Sequence, residues 1–456
     1  MPAFFGAEEI WGRRSDGGEA EKVILVGVWA LSENEFHTEE DFRHSLDELE
    51  DLAKACRMDP CCRVTQQLPS VDKALYVRSG KAEEIAALAD AWEAGRVIFN
   101  DTLSPSQIRN LQKILKVPVT DRTRLILDIF ERRARTRESR LQVELAKLQY
   151  LKPRLIGMWE TQNRQGGASG SQSSKGEGEK QLEIDRRTID HRLAELRREL
   201  TEVTRERETQ RKKRKNARLP LVALVGYTNA GKSTIMNAML DEWTSTPAVE
   251  DRKVFEADML FATLDTTVRR VEMERGRAFL LSDTVGFIHR LPTTLVEAFK
   301  STLEEVTQAD LLLQVVDASD PYAPEHIEVT KNTLTELGAG HIPMITVFNK
   351  ADLCDSAMHF PRRGLREESV AGESNENIYI SAKETESIRL LTDAILEKLE
   401  RGDVERDFLI PYTKGAVQSW LMENARVGNT EYLEAGVSMH VKCDKIVAEK
   451  AERMLQ

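Results

Sequence analysis

The sequence contains no apolar run approaching the ~18 residues that would cross a bilayer, and only five of its 456 residues are cysteine, none of them paired as Cys-x-x-Cys. The first absence predicts a chain without a membrane span. The second argues against a disulfide framework and a zinc site, so Cys56, Cys61, Cys62, Cys354 and Cys443 read as free thiols of a cytoplasmic protein. The first eighteen residues have no apolar stretch followed by a small-residue cleavage site. They also carry Glu8, Glu9 and Asp16, so neither a secretory signal nor an acid-poor transit peptide is expected. Net positive charge is lacking too. At −11 the chain is a poor indiscriminate binder of nucleic acid, and any RNA contact must come from local clusters.

The length is too great for one core, which predicts two to four domains. Hydrophobic residues at 41% suffice for several cores, and 31% charged residues suggest long solvated helices. After a tail at 1–20, strand and helix patterns alternate over 21–120. Lys22–Trp29 and Arg96–Asn100 read as strands; Ser45–Cys56, Lys81–Trp92 and Leu103–Leu115 read as helices. This predicts a small α/β domain with a parallel sheet. Residues 121–216 read as a long antiparallel helical hairpin. Arg122–Leu151 lacks glycine and proline and should be one helix. Residues 165–180 are rich in glycine, serine and lysine and should be a mobile loop. In the second helix Ile189, Leu193, Leu196, Leu200 and Val203 step by fours and threes, the spacing of a coiled-coil seam, and Leu141, Leu145 and Leu148 do so in the first. Arginines 132, 133, 135, 137 and 140 form one basic cluster, and residues 205–218 form another. An antiparallel hairpin brings both to one end, a candidate phosphate-contacting surface. Residues 403–456 read as strand, helix, strand and helix, a small α/β domain without recognisable chemistry.

The chemistry lies in 217–402. The apolar run Leu221–Val225 leads into Gly226-Tyr227-Thr228-Asn229-Ala230-Gly231-Lys232-Ser233-Thr234, a phosphate-binding GxxxxGKS turn between a strand and a helix. The glycines let backbone N–H groups converge on phosphates, Lys232 can neutralise the β- and γ-phosphates, and Ser233 can ligate Mg²⁺. The strand Ile345–Phe348 ends in Asn349-Lys350-Ala351-Asp352. A carboxylate there can accept from guanine N1–H and its N2 amine, a pair that adenine does not offer. Ser381-Ala382-Lys383 fits a second base-contacting loop. Phe279–Ser282 ends in Asp283-Thr284-Val285-Gly286, where Asp283 can hold Mg²⁺ through water and the Gly286 amide can reach a γ-phosphate. Phe261-Ala262-Thr263-Leu264-Asp265 is the candidate first switch, with Thr263 as a second side-chain Mg²⁺ ligand. GTP or GDP is therefore the expected ligand, and Lys232, Thr263 and Gly286 are the groups expected to act on the γ-phosphate. Many GTPases place a polar residue just after Asp-x-x-Gly to orient water; here Phe287 stands there, which predicts slow intrinsic hydrolysis and a stimulating partner. Asn229 offers an amide oxygen inside the turn, which predicts K⁺ stimulation.

The stretches 226–233, 261–265, 283–288 and 295–299, together with 121–151 and 178–183, resemble the HflX family, relatives of the Obg GTPases. Two departures stand out. Gly176-Glu177-Gly178-Glu179-Lys180-Gln181 replaces the family's usual Gly-Pro-Gly-Glu-Thr-Gln, and Thr266 stands where proline is common. The resemblance implies a ribosome-associated GTPase that binds the large ribosomal subunit and its rRNA and splits or rescues stalled ribosomes. In such a protein the N-terminal domain and hairpin reach toward the peptidyl-transferase centre, and the ribosome activates hydrolysis. A monomer is expected. Two other readings stay open, a GTPase of ribosome assembly or tRNA modification and a nucleotide-stabilised scaffold that binds a protein.

Overall fold

A computed structural model describes residues 20–33, 36, 38–165, 173–216, 219–243, 260–261, 264–273, 278–289, 295, 299, 305–354, 362–363, 367–368, 374–400 and 403–455, with side chains left out in 155–165, 173–182, 206–216 and at a few positions inside other elements. The first unit runs β1 (Glu21–Ala30), α1 (Glu39–Ala55), β2 (Met58–Leu68), α2 (Ser79–Trp92), β3 (Arg96–Phe99), α3 (Pro105–Leu115) and β4 (Val119–Asp121). Its parallel sheet has the order β2-β1-β3-β4. β1 is buried on both faces, hence its unbroken apolar run. Capping boxes start α1 (Thr38 with Asp41) and α3 (Ser104 with Gln107, then Pro105). The sequence pattern does not single out β2. It is an edge strand carrying Pro60 and a register shift opposite Val23/Ile24, features an edge tolerates.

The helix expected over Arg122–Leu151 is two helices, α4 (Arg122–Arg133) and α5 (Arg137–Gln165), separated at Ala134–Thr136. The break has a tertiary cause: the Asp265 carboxylate, 130 residues away, accepts from the N–H groups of Arg135 (3.1 Å) and Thr136 (3.3 Å) and from the Thr136 hydroxyl (2.7 Å). The backbone thus bonds outward where a continuous helix would bond inward. α6 (Ser173–Asn216) already covers 173–180 of the expected loop; 166–172 lie outside the described residues. Lys152 pairs with Asp190 and Arg192 with Glu144 along α5 and α6, while Leu141, Leu145, Ile189, Leu193 and Leu196 are buried between them.

The nucleotide-binding unit comprises β5 (Leu221–Gly226), α7 (Lys232–Trp243), β6 (Thr267–Glu272), β7 (Ala278–Asp283), β8 (Leu311–Asp317), α8 (Ala323–Glu336), β9 (Met344–Asn349), the two-residue strands β10 (Arg362–Arg363) and β11 (Glu367–Glu368), β12 (Ser374–Tyr379) and α9 (Thr385–Leu399). The sheet order is β10-β12-β9-β8-β5-β7-β6, with β11 beside β12. β5 runs parallel to both neighbours, so the chain leaves its carboxyl end in the crevice where open α/β sheets bind ligands. Last come β13 (Asp403–Ile410), α10 (Gly415–Asn424), β14 (Arg426–Leu433), β15 (Gly436–Asp444) and α11 (Lys445–Leu455). The antiparallel order is β13-β15-β14; β14, a bulged edge strand, is a further departure from the sequence-based expectation. One apolar cluster joins α1, α4, α5 and α6 to Phe261, Leu264, Val285 and Ile288, so both candidate switch segments pack against the helices. No helix among the described residues is long and apolar enough to cross a membrane.

Candidate nucleotide site

The turn after β5 is shaped by its glycines. Gly226 has φ +141, and a Cβ there would lie 2.2 Å from the Val315 carbonyl oxygen. Gly231 has φ +93, and its Cβ would lie 2.2 Å from Asn349 Nδ2. No side chain fits either place, which is why backbone alone lines the turn. Asn229 stands exposed at the tip with φ 60. Lys232 is buried, and its ammonium donates to the carbonyls of Gly226 (3.0 Å) and Tyr227 (2.7 Å). Burial pushes its pKa down to about 8, against the pull of Asp283. Thr234 follows Lys232 and Ser233 in the first turn of α7.

Ser233 Oγ donates to Asp283 Oδ2 at 2.7 Å, joining the turn to the end of β7. This pairing of hydroxyl and carboxylate is the hard-oxygen donor set that suits Mg²⁺. Thr228 Oγ1 is buried in the same turn without a hydrogen-bond partner among the described residues. Thr284 donates to the Leu224 carbonyl (2.6 Å), Val285 is buried, and a Cβ on Gly286 would sit 3.0 Å from Lys232 Nζ. Phe287 is inside the core with Ala223, Val225 and Leu312. Its N–H donates to Gly226 O (3.1 Å), and its carbonyl accepts from Thr228 N–H (2.8 Å). The residue after Asp-x-x-Gly is therefore a core anchor that ties this segment to the phosphate turn.

Asn349 holds the third loop. Its Nδ2 donates to Ala230 O (3.0 Å), and its Oδ1 accepts from Ala382 N–H (3.0 Å), bridging the turn to Ser381-Ala382-Lys383. Lys350, at φ 61, pairs with Asp317 (2.7 Å). Ala351 N–H donates to Ile380 O (3.1 Å), and Ser381 N–H to Ser387 Oγ (3.2 Å). Asp352 and Lys383 are exposed on this braced frame.

In the candidate first switch, Ala262 and Thr263 lie outside the described residues. Phe261 is buried at φ 54, a left-handed conformation that costs a bulky residue on the order of 1–3 kcal/mol. Its ring meets Phe130 edge-on at 4.8 Å. Leu264 is buried, and Asp265 turns its carboxylate to the α4–α5 elbow.

Sequence reasoning placed Tyr227 in the phosphate turn but missed the residues around its side chain. The Tyr227 phenol donates to Glu48 of α1, which also pairs with Arg122. His289 N–H donates to the Tyr227 oxygen (2.7 Å), while its carbonyl accepts from Arg122 (3.2 Å). The Tyr227 ring stacks on His326 at 3.7 Å. The available signal was Glu48 itself, a carboxylate beside the Leu46, Leu49 and Leu52 face of an amphipathic helix.

With the carboxylate loop bound to the phosphate turn through one asparagine, the unit has the architecture of a P-loop GTPase. Comparison with known proteins makes the class particular, and the chain belongs to the HflX GTPase family. It is 41% identical to the GTPase HflX of Caldanaerobacter subterraneus subsp. tengcongensis over 93% of this chain and 92% of that one. It is 44% identical to that of Akkermansia muciniphila over 90% and 92%, and 39% identical to that of Escherichia coli over 89% of each. Residues 43–131, 133–214 and 221–350 match the families described as GTP-binding GTPase N-terminal, GTP-binding GTPase Middle Region and 50S ribosome-binding GTPase. A solved structure, a GTP-binding protein of the archaeon Sulfolobus solfataricus in complex with GDP, is 21% identical and covers 83% of this chain and 98% of that one, with a TM-score of 0.42.

Proposed function

We propose that this GTPase is a factor of the large ribosomal subunit whose hydrolysis is triggered there and serves to split or rescue stalled ribosomes. The observation that carries the reading is the burial of Phe287, which leaves no polar side chain after Asp-x-x-Gly to orient water. An activator must supply what is missing. The 50S ribosome-binding description of the family matched over 221–350 supports the large subunit as that activator, and the basic clusters of the helical hairpin suit rRNA phosphates.

In the proposed site the amides of 226–231 and the Lys232 ammonium hold the β- and γ-phosphates, and the Gly286 amide donates to the γ-phosphate. Asp352 reads the guanine edge, flanked by Ser381, Ala382 and Lys383. Ser233 and Thr263 would hold Mg²⁺ directly and Asp283 through water; a bound Mg²⁺ supplies further charge neutralisation at the β- and γ-phosphate oxygens. Asn229 would hold K⁺ beside the phosphates, so the rate in KCl should exceed that in NaCl; equal rates exclude the role.

The test of the reading is the steady-state GTPase rate with and without purified large subunits. We expect stimulation of at least ~10²-fold, lost as salt rises. A rate indifferent to ribosomes overturns it.

A further inference from the structure

The α4–α5 elbow combines two features that the hydrolysis site does not use. The first is charge. Arg132, Arg135, Arg137 and Arg140 are exposed there; burial, with the charges of Arg135 and of Arg57 just past α1, holds the Arg133 guanidinium below its usual range. Several carboxylates of the region are shared with other cations. Asp128 is held by Arg124 at 3.0 Å, Glu131 by Lys147 at 2.6 Å, and Glu199 by Arg192 at 3.3 Å with Arg137 at 3.7 Å. Along 132–140 five arginines stand against one acid, Glu138, so the segment is basic.

The second feature is a clasp. Asp265 accepts three hydrogen bonds from Arg135 and Thr136, within this same basic segment. Thr136 Oγ1 in turn accepts from Ser139 N–H (3.2 Å), so the clasp is part of the start of α5. Four residues before Asp265, Phe261 is held at positive φ with its ring against Phe130, in the last turn of α4. Phe130 also meets Phe299 edge-on at 5.0 Å. The candidate first switch is thereby fixed to the elbow at two points on either side of Thr263.

We infer that the arginine-bearing elbow is a docking surface for an RNA phosphate backbone, and that the Asp265 clasp couples RNA bound there to the nucleotide state of the first switch. The partner chemistry follows from the charge: guanidinium groups pair with phosphate oxygens, bidentately where geometry allows. The coupling follows from connectivity. Arg135 carries both an exposed guanidinium and a backbone N–H bonded to the switch, so a phosphate that repositions the elbow repositions Asp265. Coupling between sites is reciprocal: RNA affinity must then depend on the nucleotide by the same factor as nucleotide affinity depends on RNA. The inference rests on the reading of an RNA-bearing activator, yet it can be tested without the ribosome.

The experiment titrates a fluorescein-labelled RNA hairpin into the full-length protein, loaded with GDP or with a non-hydrolysable GTP analogue, and follows anisotropy at several salt concentrations. We expect RNA affinities that differ by about tenfold between the two states. Thr136→Val removes one clasp bond together with the cap on Ser139 N–H, and should shrink that ratio. Asp265→Ala removes all three and should bring the ratio near unity while RNA binding persists. Combined Arg132→Ala, Arg135→Ala and Arg140→Ala should weaken RNA binding in both states and lower the salt slope by roughly 2. RNA affinity equal in the two nucleotide states, or unchanged in the triple arginine variant, overturns the inference. Intact coupling in a protein whose GTPase rate ignores large subunits would overturn the ribosome reading alone.

Discussion

Lys232→Ala is expected to lower kcat/KM for GTP by on the order of 10²- to 10³-fold in a chain that still folds, the loss typical of removing one donor aimed at developing charge. The ammonium is buried and bonded to the Gly226 and Tyr227 carbonyls, the two residues that open the phosphate turn. Its depressed pKa, about 8, adds a pH signature. Without nucleotide the group loses its proton near pH 8. Bound triphosphate favours the charged form and holds the proton to higher pH, so binding takes up a proton in that window. GTP affinity should be level below about pH 8 and fall about tenfold per unit above it, and Lys232→Ala should erase that slope. Phosphate release under multiple turnover and fluorescent-nucleotide titration from pH 7 to 9.5 measure both. A loss under about tenfold, or a slope that survives in the variant, would take Lys232 out of the phosphate site.

Asp352→Asn should weaken GTP binding by roughly 10²- to 10⁴-fold, because two charge-assisted hydrogen bonds to guanine are worth about 1.5–3 kcal/mol each. The asparagine amide would meet the guanine N2 amine donor to donor. Xanthine carries a carbonyl oxygen at that position and can accept from the same amide, so XTP should recover much of the lost affinity. The frame beneath should be undisturbed, since Asn349, Ala351 and Lys350 make their bonds without the Asp352 side chain. Competition titrations with GTP, XTP and ATP decide the matter. Unchanged GTP preference would place the guanine edge elsewhere.

Much of this protein was legible in its sequence. A glycine turn followed by Lys232 and Ser233 is a short motif of fixed spacing, and it lies between β5 and α7. The N-terminal strand and helix alternation was legible for the central strands β1 and β3, which are buried on both faces and read as apolar runs. Two edge strands were not. β2 and β14 carry proline, glycine and polar residues because one side of each lacks a strand partner, and pairing with a neighbour alone reveals them.

By itself, then, the sequence determined the nucleotide chemistry and the order of units, because loop geometry, strand burial and helix caps depend on near neighbours. The tertiary structure decided what those units do to one another. Within Arg122–Leu151 the one local break signal is Thr136, which caps the start of α5; a carboxylate 130 residues away holds the elbow from outside. Nothing beside Phe287 shows whether it faces the nucleotide or the core; the packing of β5, β8 and α8 puts it in the core. The Glu48–Tyr227 bond spans 179 residues. Buried polar groups must find partners, and a sequence does not say which distant segment brings them.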